Sequence, residues 1–128
     1  MTNSLARIEA IATETVRRLP DPFRKAAQSV IIRVEDWPDE TLLRDMGLKD
    51  PMALTGLYEG IPMTEKSAAD PAPFPDVVTL FRAPILHELD ERYGTSLEEL
   101  VTHVTVHEFA HHFGWSDGDI AKVDRWWE

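Results

Sequence analysis

The order in which secondary structure is legible along the chain predicts an α+β fold: one helix, a strand, a short helix, two strands, then further helices. Two observations carry that expectation. Apolar residues recur at helical spacing near both ends of the sequence, and between them lie short β-branched runs bounded by proline, glycine or aspartate. The 128 residues suit one domain spanning 1–128, long enough to bury a core and too short for two independent ones.

Leu5, Ile8, Ile11, Ala12, Val16 and Leu19 trace one face of an amphipathic first helix, with Ser4 as a candidate cap and Pro20 and Pro22 punctuating its end. Residues 29–35 (SVIIRVE) are β-branched and too few for a helix, so they read as a strand. Residues 39–46 suit a short helix stopped by Gly47. A second strand follows at 54–60 (LTGLYEG), where Gly56 permits a bulge or a close approach of another element. Four prolines among small and polar residues make 61–76 a long surface loop. Residues 77–81 (VVTLF) form a third strand, so the second and third strands should make a hairpin with a long tip. Ile85, Leu86 and Leu89 mark a helix over 84–93 closed by Gly94, and Thr95 or Ser96 caps a last long helix beginning near Leu97. No internal repeat, low-complexity tract or linker interrupts this order.

Composition removes several classes of function. A formal net charge of −10 disfavours attraction to nucleic acid or to an anionic membrane, so neither is an expected partner. The absence of cysteine leaves only His, Asp and Glu as ligands for a transition metal. Arg7, Glu9 and Glu14 break the apolar stretch a signal peptide needs, and no other run is long enough to span a bilayer, so the expected location is cytoplasmic.

The chemistry-bearing segment is 107–117, HEFAHHFGWSD. On a helix, residues four apart lie only about 40° apart around the axis and about 6 Å along it, so His107 and His111 can reach one ion. Glu108 stands beside that face, off the metal but close enough to meet a water held there. Gly114 can adopt the positive φ that ends a helix and turns the chain back, which makes Asp117 the candidate third ligand. Three protein ligands and one open position are the form of catalytic zinc, whereas structural zinc is usually closed by a fourth ligand.

Plainer readings compete at each position. Leu97, Leu100 and Val104 share a side with His107 and His111, so the helix also fits a core helix with two satisfied histidines. His103 lies one turn earlier, but three successive turns of a straight helix cannot converge on one ion. His112 points about 100° away from His111 and suits packing or a hydrogen bond. Asp119, Asp124 and Glu128 compete with Asp117, which has an alternative use as a helix cap. Tyr58 and Arg82 could touch substrate or an oxyanion, although strand packing and a surface ion pair explain them as well. His87, between Leu86 and Leu89, reads as a partly buried structural residue, and Trp126 and Trp127 with Ile120 and Val123 as the apolar face of a closing helix.

With these residues in view, the pattern HExxHxxGxxD resembles the zincin metallopeptidases in which Asp replaces the third His. Residues 55–60 (TGLYEG), 75–82 (PDVVTLFR) and 106–117 (VHEFAHHFGWSD) look like the small bacterial zincin-like metallopeptidase family, over roughly residues 20 to 125. The resemblance implies a minimal zincin-like fold, a small mixed β-sheet packed against the zinc-bearing helix, and a peptide or unfolded protein substrate laid along a sheet edge. It also implies Zn2+ as cofactor. No methionine follows Asp117, so the Met-turn beneath the metal of true metzincins is expected to be missing.

The sequence therefore points to a zinc-dependent hydrolase, a metallopeptidase with His107, His111 and Asp117 as ligands and Glu108 as general base. The rival from another class is a non-catalytic zinc module that binds a peptide or protein partner, its metal ordering the helix end. A metal-dependent nuclease is a third, which the acidic charge opposes.

Overall fold

The computed structural model describes residues 4–21, 23–60 and 76–114. The first helix, α1 (Ser4–Arg17), buries Ile8, Ala12 and Thr15 along the predicted stripe, and the Thr15 hydroxyl donates to the Ile11 carbonyl at 2.8 Å. Ser4 lies inside the helix and not ahead of it; its hydroxyl accepts from Arg82 Nη1 at 3.0 Å. A five-residue helix, α2 (Phe23–Ala27), follows in the stretch that the prolines had marked only as an end. It is too short to show a repeating apolar period, yet it places Ala27 in the core and Phe23 against Phe113, ring centroids 5.1 Å apart.

Strand β1 (Ile31–Glu35) alternates as a half-covered strand should, Ile32 and Val34 turned in and Ile31, Arg33 and Glu35 out. Helix α3 (Glu40–Asp45) starts where the Asp39 side chain accepts from the Thr41 N–H at 2.8 Å. A single 3-10 turn at Pro51–Ala53, not foreseen from the sequence, then leads into β2 (Gly56–Glu59). Strand β3 (Val77–Phe81) pairs antiparallel with β2 and parallel with β1, so the sheet is mixed and its order is β1-β3-β2. The expected hairpin is therefore present, and residues 61–75 of its tip lie outside the described residues.

As the central strand, β3 has both faces covered and buries Val78, Thr79, Leu80 and Phe81. Its register puts Ile32 opposite Val78 and Val34 opposite Leu80 on one side, and Gly56 and Tyr58 opposite Leu80 and Val78 on the other. These residues share one face. Against it Val78 and Leu80 pack with Ile8 and Ala12 of α1 and with Leu100, Val101, Val104 and Phe109. The opposite face carries Phe81 and Leu57, closed by Leu42, Leu43, Leu48 and Leu54.

Helix α4 (Arg82–Glu91) leaves β3 without a side-chain cap; Arg82 Nε instead pairs with the Asp36 carboxylate at 2.6 Å, and the Ala83 N–H donates to the Asp36 carbonyl. His87 is exposed on this helix and meets Glu91 at 3.1 Å, so the expectation that it is partly buried is corrected: it lies about 200° around α4 from the buried Ile85. Gly94, at φ 77°, makes the turn that few other residues adopt. Helix α5 (Leu97–His112) then begins at Ser96, whose hydroxyl accepts from the Glu99 N–H at 3.1 Å. It packs against α1, β2 and β3, the arrangement expected of a small mixed sheet on one long helix. No described helix is long and apolar enough to cross a membrane.

Candidate metal centre

The last two turns of α5 present two neighbouring stripes, each made by residues four apart. His107 and His111 form one. Both are half-buried, and their ring centroids lie 5.0 Å apart at an interplanar angle of 79°. His103 is exposed, and its ring centroid is 6.4 Å from that of His107, a looser relation than that within the pair. Helix α5 ends at His112 with Phe113 as its cap, and Gly114 beyond it takes φ 81° while its N–H donates to the His111 carbonyl at 3.0 Å. The positive φ expected of Gly114 is therefore present, and the course of the chain after it lies outside the described residues.

Glu108 and His112 form the second stripe, which faces β2. The Glu108 carboxylate accepts from the Tyr58 backbone N–H. Burial pushes the Glu108 pKa from an ordinary 4.5 up to about 7, the Tyr58 N–H offsetting part of the rise by favouring the anion. Room for the carboxylate comes from Gly56, because a Cβ there would stand 3.1 Å from Glu108 Cγ, 3.3 Å from Glu108 Oε2 and 2.8 Å from Val104 Cγ1. The close approach that Gly56 permits is thus used, and the element that approaches is α5.

His112 is almost wholly buried, its Nδ1 lying 3.1 Å from the Tyr58 hydroxyl and 3.2 Å from Asp76 Oδ2. A carboxylate only accepts, so the contact with Asp76 calls for the proton on Nδ1. The Tyr58 hydroxyl donates to Asp76 as well. Its pKa is held well above the usual phenol range by burial first, then by the Asp76 charge and the hydrogen bond to it. Gly60 completes the surround, since a Cβ there would come within 2.7 Å of Asp76 Cγ and 2.9 Å of the Tyr58 hydroxyl.

Structure thus gathers His107, Glu108 and His111 at one end of α5, and holds His112 by the hydrogen bonds that its angular position suggested. Tyr58 joins them by backing the helix through both its N–H and its hydroxyl. Arg82 does not, being engaged with Asp36 and Ser4. Asp117 lies outside the described residues, as do its competitors Asp119, Asp124 and Glu128 and the tryptophans 126 and 127. Asp76 was missed: it stood at the end of a proline-rich loop, and no local pattern ties it to a histidine 36 positions later. Among the described residues no group of three His, Cys, Asp or Glu could hold a metal ion. The paired imidazoles of His107 and His111 are nevertheless donors of the kind that zinc takes, and the candidate third ligand, Asp117, lies beyond Gly114.

Compared with known families, the chain matches over residues 27–127 the one described as zincin-like metallopeptidase. No curated protein matches it.

Proposed function

The chain belongs to the zincin-like metallopeptidase family, and from that premise we propose that it is a zinc-dependent peptidase acting on peptides or unfolded protein segments. His107, His111 and Asp117 hold the metal and Glu108 is the general base. The observation that carries the reading is the pairing of stripes on α5: two imidazoles with centroids 5.0 Å apart beside a carboxylate seated on the backbone of β2.

Zinc, when bound, supplies a Lewis acid that makes water a competent nucleophile near neutral pH. Glu108 takes a proton from the attacking water, whose oxygen joins the scissile carbonyl carbon, and returns that proton to the leaving amine nitrogen as the C–N bond breaks. A carboxylate accepting from Tyr58 N–H keeps one oxygen anchored while the other handles the proton. His107 and His111 are half-buried, so water and a chain segment retain access to them. The reading includes a cytoplasmic site of action, without nucleic-acid or membrane partners; the net charge of −10 supports the exclusion of polyanionic partners.

The test is turnover of quenched-fluorescent unfolded casein by the zinc-loaded protein, with a chelator control and Glu108→Gln alongside. The wild type should cleave in a metal-dependent manner, and the variant should lose at least about a hundredfold while keeping its zinc. Zinc binding without wild-type cleavage of casein or of a peptide library would instead support a non-catalytic zinc module.

A further inference from the structure

Among the described residues strand β2 lies at the edge of the sheet, and its hydrogen bonding to β3 is taken up at alternate residues. The Phe81 N–H donates to the Thr55 carbonyl at 2.9 Å. Alternation along an antiparallel pair then turns the N–H and C=O of residues 55, 57 and 59 toward β3 and those of Gly56 and Tyr58 away from it. The outward Tyr58 N–H is the one that meets Glu108. Tyr58 is therefore gripped twice by α5, at its N–H by Glu108 and at its hydroxyl by His112 one turn later. Asp76 braces the hydroxyl end from the start of β3. Such a grip works only if strand and helix lie close, and at Gly56 an added Cβ would stand 2.8 Å from Val104 Cγ1, so that one of the two would have to shift.

We propose that Gly56 is a positioning residue for the general base: its missing side chain lets the Glu108 carboxylate lie against β2 and be oriented by the Tyr58 N–H. The inference rests on the peptidase reading for its kinetic consequence, but not for its geometric one. A Cβ at position 56 meets two different neighbours, which makes the role separable from simple packing. One is Val104 Cγ1 at 2.8 Å, a contact with the core; the other is the Glu108 side chain at 3.1 Å to Cγ and 3.3 Å to Oε2. Shortening Val104 relieves the first and leaves the second. A carboxylate pushed off its donor by a few tenths of an ångström also loses its aim, and misplacement of a catalytic group by about 1 Å can cost about a hundredfold in rate.

The experiment compares wild type, Gly56→Ala, Gly56→Ala with Val104→Ala, and Glu108→Ala. Two readouts are taken: amide hydrogen exchange at Tyr58 in the metal-free protein, and casein cleavage by the zinc-loaded one. Gly56→Ala should speed Tyr58 exchange about tenfold or more and lower kcat by about ten- to a hundredfold with KM within about twofold. Adding Val104→Ala should recover thermal stability but neither the amide protection nor kcat. Recovery of both in the double variant would overturn the proposal, leaving Gly56 a packing residue against Val104 alone. Glu108→Ala, which keeps Gly56 and requires no repacking of β2, should expose the Tyr58 amide in the same way; unchanged protection there would also overturn it. A wild type that does not cleave casein removes the peptidase reading, and the exchange data then decide the geometric claim independently.

Discussion

Replacing Glu108 by Gln should stabilise the metal-free protein in a pH-dependent way, because the structure buries a carboxylate that prefers to ionise in water. In the unfolded chain Glu108 titrates near its ordinary 4.5, and in the folded chain near 7. Below the lower value both states are protonated and the folded state keeps its full stability. As pH rises through the window the unfolded chain loses its proton first, so stability falls, and it levels off above the folded pKa. The displacement from 4.5 to about 7 corresponds to about 3 kcal/mol. Gln is neutral throughout and can still accept from the Tyr58 N–H, so the variant escapes the loss. Urea unfolding in the presence of a chelator, followed by tryptophan fluorescence, should show the two proteins equal at about pH 4 and the variant ahead by about 3 kcal/mol at about pH 8. Taking the difference between the two cancels the titration of groups remote from the site. A stability difference that stays constant across that range would refute the reasoning, since it would mean that β2 does not keep water from the carboxylate.

Other consequences follow from particular contacts. His111→Ala and Asp117→Ala should each lower zinc per chain, measured by elemental analysis, whereas His103→Ala should leave it unchanged because His103 stands outside the pair of close rings. Tyr58→Phe removes the hydroxyl shared by His112 and Asp76 and should cost about 1–3 kcal/mol in urea unfolding, two buried polar groups being left with one partner fewer. It keeps the backbone N–H, so kcat on casein should fall less than with Gly56→Ala. Ser96→Ala deletes the cap of α5 and should cost about 1 kcal/mol, read from the urea midpoint, with zinc content unchanged.

Much of the fold was legible because it is encoded locally. The stripe of Ile8 and Ala12, the alternation of Ile32 and Val34, and the Ser96 cap each follow from neighbours a few residues apart, and each has its place in the structure. The failures have local causes too. Helix α2 spans too few residues to display a period, and Ser4, a residue type that suits a cap, begins the helix instead. His87 has Leu86 and Leu89 near it in sequence, but on a helix adjacent residues point about 100° apart, and His87 is exposed.

At the site the division is sharper. By itself the sequence determined that His107 and His111 share a face and that Glu108 stands beside it, because helical geometry converts a spacing of four into proximity. It determined equally that a glycine stands in β2 where another element could come near. Only the tertiary structure decided what comes near: Val104 and Glu108 against Gly56, the Tyr58 N–H on the carboxylate, and Asp76 beside His112. Tyr58 and His112 are 54 residues apart, and their meeting depends on the β1-β3-β2 order and on which face of the sheet receives α5. Those choices are made by the summed burial of two cores, a nonlocal quantity that no short window of sequence contains.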